Sequence, residues 1–186
     1  MNNKALFLDR DGIINIDTGY VHRKEDIEFV EGIFDVIRTF VAKGFMPVIV
    51  TNQSGIGRGL YGEDDFAALS HWMQLQFDHA GLPEIPVYYC PHHPTQGIGQ
   101  YRQQCNCRKP EPGMLFDAIA EHHIDASRSF MIGDSWRDIQ AADAAGVRHH
   151  IFVSSETRDN TKSIDNVIQV TQVSDILSHN VLAALK

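Results

Sequence analysis

Short apolar runs alternate with apolar positions at helical spacing along this chain, and that alternation predicts strands and helices in βαβ order. Lys4 to Asp9 reads as a first strand, because Ala5 to Leu8 is wholly apolar with polar flanks, as a strand buried on both faces requires. Ile33, Ile37, Phe40 and Val41 then recur at helical spacing, and Gly44 closes that helix before a second strand from Met46 to Thr51. Phe66, Leu69, Met73 and Phe77 mark one face of a helix from Glu63 to His79, and Val87 to Tyr89 is a short strand.

From Cys90 to Arg108 the chain is rich in Pro, Gly, Gln and His and keeps no period, which predicts a long ordered loop. Pro112 opens a helix through His122, and Ser129 to Ile132 is a strand that again leads into an acid, Asp134. Trp136 to Ala145 is helical with Gly146 beyond its end, and Val147 to Val153 returns as a strand. The stretch from Ser154 to Asn166 is polar and patternless; a strand at Val167 to Val170 and a helix from Ser174 to Leu185 complete the order. The 186 residues suit a single domain over 1–186, a three-layer α/β fold whose central, mostly parallel sheet carries helices on both faces. No segment is long enough for a large cap domain.

Composition narrows the partners. A formal net charge of −8 argues against a nucleic-acid or anionic-membrane surface, since either needs an excess of lysine and arginine over one face. No apolar run approaches the roughly 20 residues of a membrane span, and the N-terminus does not resemble a signal peptide, so a cytoplasmic location is expected. No obvious sticky helix is present, which makes a monomer the expected state. The three cysteines, Cys90, Cys105 and Cys107, fall in one short segment, and an odd, clustered set argues for metal ligation before disulfides.

Four strand ends carry polar groups: Asp9 and Asp11, then Thr51 and Asn52, then Arg108 and Lys109 beyond the long loop, then Asp134 and Asp138. Ligand crevices of open α/β sheets lie at the carboxyl ends of the strands, so these groups converge. Asp9 and Asp11 alone could close a strand as an Asx turn. Together the four sets describe a Mg²⁺-assisted phosphoryl-transfer site, because a carboxylate attacking a phosphate needs a divalent cation and basic or hydroxyl donors to offset the charge. Asp9 is the natural nucleophile and Asp11 the natural general acid and base. Asp134, with Asp9 and Asp11, would ligate the cation; Thr51 and Asn52 would donate to the phosphate, and Lys109 would neutralise it. Asp138 reads either as an acid supporting the metal ligands or as a charge in the first turn of a helix.

The Asp9-Arg10-Asp11-Gly12, Thr51-Asn52, Lys109 and Gly133-Asp134 with Asp138 segments, in that order over nearly the whole chain, resemble the four motifs of the haloacid-dehalogenase-like phosphatases. That resemblance implies a Rossmann-like fold and an aspartyl-phosphate intermediate. Ile13 departs from it, since a threonine most often follows the glycine there.

Cys90-Pro91-His92-His93 with Cys105-Asn106-Cys107 offers three thiolates and an imidazole, a set suited to a closed, tetrahedral structural Zn²⁺. His92 or His93 could supply the nitrogen. The spacing resembles the zinc loop of two phosphatase families within the superfamily, which favours Cys90, His92, Cys105 and Cys107 and places the loop at about 90–108.

Asp17-Thr18-Gly19-Tyr20, Thr51 to Arg58, Tyr89 to Pro94 and Cys107 to Pro110 look like the D-glycero-D-manno-heptose 1,7-bisphosphate 7-phosphatase family, which serves lipopolysaccharide or other surface-glycan heptose synthesis. The resemblance runs to about Val153. It implies that Asp17, Thr18, Gly19, Tyr20 and Arg108 contact the sugar or its second phosphate, and that Gln53, Ser54 and Arg58 lie near the reacting one. Ser135 stands where some members have a basic residue. Two competing readings are a phosphatase for another small substrate such as histidinol phosphate, and a non-catalytic, zinc-stabilised interaction module. The remaining features read as structure: Trp72, Met73 and Phe77 as packing, Arg23 to Asp26 as a solvated turn, and His122, His123, His149 and His150 as surface or satisfied histidines.

Overall fold

In a computed structural model, which describes residues 3–156, 164–178, 181 and 183, the elements follow the expected alternation. They are β1 (Lys4–Leu8), α1 (Ile33–Ala42), β2 (Phe45–Asn52), α2 (Ser54–Gly57), α3 (Glu63–His79), β3 (Val87–Cys90), α4 (Gly113–Glu121), β4 (Phe130–Gly133), α5 (Trp136–Ala144), β5 (His149–Val153) and β6 (Val167–Val170). Six strands form one sheet in the order β3-β2-β1-β4-β5-β6, and every pairing is parallel, so the sheet is wholly rather than mostly parallel among the described residues.

The order reverses direction at β1, which pairs with β2 on one side and β4 on the other. Leu8 is in register with Ile49 and Ile132, so the chain leaves the sheet at neighbouring points after β1 and β4, at the switch point where α/β sheets bind ligands.

The alternation of side chains along β1 explains the layers. Leu6 and Leu8 join a core with Ile37 and Phe40 of α1 and Met73 and Phe77 of α3. Ala5 and Phe7 join a second core with Met114 and Ala118 of α4 and Ala141 and Ala142 of α5. Phe40, Phe45 and Phe130 pack edge to face with centroids 5.2–5.5 Å apart, beneath the first strand. Trp72 is packing as expected, stacked on Phe29.

Local chemistry sets the helix starts. Asp65 accepts a 2.8 Å hydrogen bond from the Gly62 amide, and Glu63, Asp64 and Asp65 place three acids at the positive end of α3. The glycine-rich segment after β2 holds one helical turn, α2, which spacing alone did not reveal. The expected helix over Ser174 to Leu185 begins instead as a 3₁₀ turn at Val173–Leu177, with Ser178 extended after it. Val181 and Ala183 are helical, and the rest of that stretch lies outside the described residues. Val173 and Ile176 are buried in the α1 core from the 3₁₀ turn, and Val181 joins the same core.

Candidate active site

Asp9 directly follows β1, and its carboxylate accepts from the Arg10 amide at 2.8 Å and lies 3.0 Å from the Lys109 ammonium. β4 delivers Asp134, and the first turn of α5 delivers Asp138. Carboxylate oxygens of Asp9, Asp134 and Asp138 lie within 4.8 Å of one another. Burial, reinforced by Asp138 and Asp134 and opposed by Lys109, pushes Asp9 up to about 7. Burial and Asp138 likewise raise Asp134 to about 6. Three carboxylates crowd against one ammonium, and a hard divalent cation relieves that excess of negative charge; the donor set therefore fits Mg²⁺. The Asp11 carboxylate is not part of this group.

Two glycines make the crowding possible. A Cβ on Gly12, whose φ is +85°, would stand 1.9 Å from Asp134 Oδ2, and one on Gly133 would stand 2.4 Å from the Asp138 Cβ.

Lys109 is almost fully buried, and its Nζ is surrounded by acceptors: Asp9 at 3.0 Å, Asp138 at 2.7 Å and the Val50 carbonyl at 2.7 Å. Its backbone is clasped by Asn52, which accepts from the Lys109 amide at 3.0 Å and donates to its carbonyl at 3.1 Å. Asn52 thereby fixes the end of the long loop to the end of β2. Asp138, in the first turn of α5, meets Lys109 with one oxygen and accepts from the Ser135 amide at 3.0 Å with the other.

Asp11 turns toward a different set of donors. Arg10 forks onto it at 2.7 and 2.9 Å, Asn15 donates at 3.1 Å and Gln53 at 3.0 Å. Gln53 also donates to the Thr51 hydroxyl at 2.9 Å and accepts from the buried Tyr61 hydroxyl at 2.6 Å, which fixes the orientation of its amide. Sequence reasoning missed Arg10, Asn15 and Tyr61. A cation lodged between two motif aspartates was the available signal for Arg10; nothing local marked Tyr61.

The site opens into a cleft of about 970 Å³. Of the expected substrate contacts, Asp17, Gly19, Tyr20, Asn52, Gln53, Ser54, Arg58, Arg108 and Ser135 line it. Thr18 and Thr51 do not: Thr18 is exposed in the turn where Asp17 accepts from the Gly19 amide at 2.9 Å, and Thr51 is buried beneath Gln53. Phe152 to Glu156 and Thr171 complete the wall, so residues after Val153 belong to the site.

Beside the cleft, ligand atoms of Cys90, His92, Cys105 and Cys107 lie within 4.8 Å of one another. The Cys107 sulfur is 2.9 Å from Cys90 and 3.3 Å from Cys105, and the His92 Nδ1 is 3.4 Å from it. His93 turns away, its Nδ1 accepting from the Gln96 amide at 3.0 Å. Burial pushes the Cys90 and Cys107 thiols up, so thiolates here need a cation's compensation. Three sulfurs and one nitrogen gathered around a point could bind Zn²⁺.

Comparison with known proteins follows the same lines. A HAD-hydrolase-like family model matches residues 106–179. D-glycero-beta-D-manno-heptose-1,7-bisphosphate 7-phosphatase of Vibrio cholerae is 48% identical over 153 residues, 82% of each chain. Among solved structures, a HAD-like phosphatase from Mesorhizobium loti superposes with a TM-score of 0.84 at 33% identity, over 99% of this chain and 86% of that one. The D,D-heptose 1,7-bisphosphate phosphatase of B. bronchiseptica, complexed with magnesium and phosphate, gives 0.75 at 26% identity, over 93% of this chain and 95% of that one.

Proposed function

This chain belongs to the HAD-like family of heptose-1,7-bisphosphate 7-phosphatases, and from that premise we propose that it hydrolyses the 7-phosphate of D-glycero-D-manno-heptose 1,7-bisphosphate through an aspartyl-phosphate on Asp9. The observation that carries this reading is the placement of Asp9 at the switch point, 3.0 Å from a buried lysine and within 4.8 Å of two further carboxylates.

Asp9 attacks the phosphorus, and the bond to the sugar oxygen breaks. Asp11, protonated, gives its proton to the departing alkoxide; as carboxylate it then takes a proton from the water that cleaves the acyl phosphate, which returns Asp9 to its starting state. Its separate set of donors suits this separate task, for Arg10, Asn15 and Gln53 hold Asp11 apart from the metal-binding carboxylates. Lys109 holds Asp9 in line and supplies positive charge, while Asn52 keeps Lys109 in place. Thr51, buried beneath Gln53, accepts from its amide and so helps to hold the Gln53 that donates to Asp11. Asp9 and Asp134 would hold Mg²⁺, with Asp138 supporting them, while Asp11, expected from the sequence among the ligands, has its carboxylate turned to Arg10, Asn15 and Gln53. Bound there, Mg²⁺ supplies Lewis-acid stabilisation of phosphoryl charge.

Cys90, His92, Cys105 and Cys107 would hold a structural Zn²⁺ that ties down the loop carrying Arg108 and Lys109. Asp17 to Tyr20, Gln53 to Arg58 and Arg108 then define the sugar side of the cleft, with Ser135 beside them. The whole chain acts as one domain over 1–186, as a cytoplasmic monomer without nucleic-acid or membrane partners, in the supply of heptose for lipopolysaccharide or another surface glycan. Among the described residues no helix is long and apolar enough to cross a membrane. Asp9→Asn tests the chemistry: turnover should fall below about one-thousandth of wild type while the melting temperature is kept. Substantial remaining turnover would remove Asp9 from the nucleophile's role.

A further inference from the structure

Tyr61 is buried in the wall of the cleft, and its hydroxyl donates to Gln53 Oε1 at 2.6 Å. From the other end of the same amide, Gln53 Nε2 donates to Asp11 Oδ2 at 3.0 Å and to the Thr51 hydroxyl at 2.9 Å. A side-chain amide has one donating and one accepting end, so Tyr61 decides which end meets Asp11. Turned over, the amide would set its carbonyl oxygen against the Asp11 carboxylate and exchange a hydrogen bond for repulsion. Burial pushes the Tyr61 hydroxyl up to about 12, so at neutral pH it remains a donor.

The Tyr61 ring has little freedom. His22 stacks on it with centroids 4.8 Å apart and planes 5° from parallel, and Ile56 and Phe66 pack around it. α2 comes so close that a Cβ on Gly55 would stand 2.2 Å from Tyr61 Cε1. His22 in turn follows the expected sugar-contacting loop, and the Tyr20 carbonyl accepts from its Nδ1 at 2.8 Å. One residue earlier, the Val21 carbonyl accepts at 2.9 Å from Arg10 Nη2, the same nitrogen that forks onto Asp11. Two successive residues at the end of that loop therefore reach Asp11 by separate routes: Val21 through Arg10, and His22 through Tyr61 and Gln53.

We propose that Tyr61 is a positioning residue for the acid–base step, acting through Gln53 to hold the Asp11 carboxylate in place and tying it to the loop that runs from Asp17 to His22. This inference rests on the proposed reading of Asp11 as acid and base, and not on which sugar fills the cleft. Proton transfer to the leaving oxygen and from the attacking water both depend on where one carboxylate stands, so an error of about 1 Å reaches both half-reactions. Substrate affinity is left to other groups, because the Tyr61 hydroxyl proton already goes to Gln53.

Tyr61→Phe tests this, since it keeps the ring and its stack on His22 and removes the hydroxyl alone. On whichever of heptose 1,7-bisphosphate and histidinol phosphate the wild type hydrolyses faster, kcat should fall by about 10- to 100-fold while KM moves by less than about threefold. Gln53→Ala should lose at least as much in kcat, and adding Tyr61→Phe to it should change kcat by less than about twofold, because the route to Asp11 is already cut. Thermal melting of each variant checks that the fold is intact. With Asp11→Asn inactive, an unchanged kcat in Tyr61→Phe, a loss carried by KM, or a full further loss on top of Gln53→Ala overturns the inference alone. An active Asp11→Asn, or a wild type that hydrolyses neither substrate, overturns the inference together with the catalytic reading.

Discussion

The Lys109 ammonium sits 3.0 Å from the Asp9 carboxylate, with both groups withdrawn from solvent at the sheet's switch point. Neither charge would be stable there alone, and Asp138, 2.7 Å from the same ammonium, completes the compensation. Lys109→Met therefore strands two buried carboxylates. Activity should fall by at least about 10³-fold and stability by about 3–5 kcal/mol, measured by steady-state kinetics and urea unfolding. A variant as stable as wild type would show that this ammonium is not holding the acids.

Asn52 acts through backbone instead of charge. Asn52→Ala removes both hydrogen bonds of its clasp on Lys109, so about 1–3 kcal/mol of stability should go, with kcat reduced more than KM is raised. The same variant with unaltered kcat would assign Asn52 to substrate binding alone.

Gly12→Ala forces a methyl group into Asp134, whose oxygen is 1.9 Å from the position a Cβ would take. The affinity for Mg²⁺ should fall tenfold or more, since Asp134 must swing away from Asp9, and excess Mg²⁺ should recover part of the activity. Titration of activity against Mg²⁺ reads this directly; an unshifted curve speaks against Asp134 as a ligand.

Much of this arrangement was legible in the sequence because its carriers are local. The apolar run before Asp9, the helical spacing of Phe66 to Phe77 and the clustered cysteines each state their structure within a few residues. What stayed hidden depends on contacts across the chain. Asn52 reaches 57 positions along the chain to Lys109, and its role as a clasp leaves no local mark. Tyr61, which orients Gln53, stands in a glycine-rich stretch that gave no sign of a catalytic connection. The end of the chain misled for the opposite reason: Val173, Ile176 and Val181 show helical spacing, yet the first two are buried from a 3₁₀ turn.

The cysteine-rich loop has little apolar core of its own, so its metal should hold its shape. Protein purified without chelator should contain one zinc per chain by elemental analysis, and Cys105→Ser should lose it and melt at lower temperature. Zinc-free protein with an undiminished melting temperature would defeat the assignment.

His150 is buried in β5 with its Nδ1 unpartnered among the described residues, and burial lowers it to about 4. The unfolded chain therefore binds a proton near pH 6.5 that the folded chain refuses until about pH 4. Stability from this group is complete above pH 6.5 and drains away as pH falls to 4, by about 3 kcal/mol. His150→Phe should flatten that part of the profile, as urea midpoints between pH 7 and 4.5 would show; parallel profiles would exclude His150 as the cause.

The account stands or falls on which phosphate is released, and from what. Phosphorus NMR of D-glycero-D-manno-heptose 1,7-bisphosphate incubated with enzyme and Mg²⁺, with histidinol phosphate in a parallel reaction, reads both at once. Loss of the 7-phosphate signal with the 1-phosphate retained, and slow or no release from histidinol phosphate, is the predicted result. Release of the 1-phosphate, or faster hydrolysis of histidinol phosphate, would contradict it.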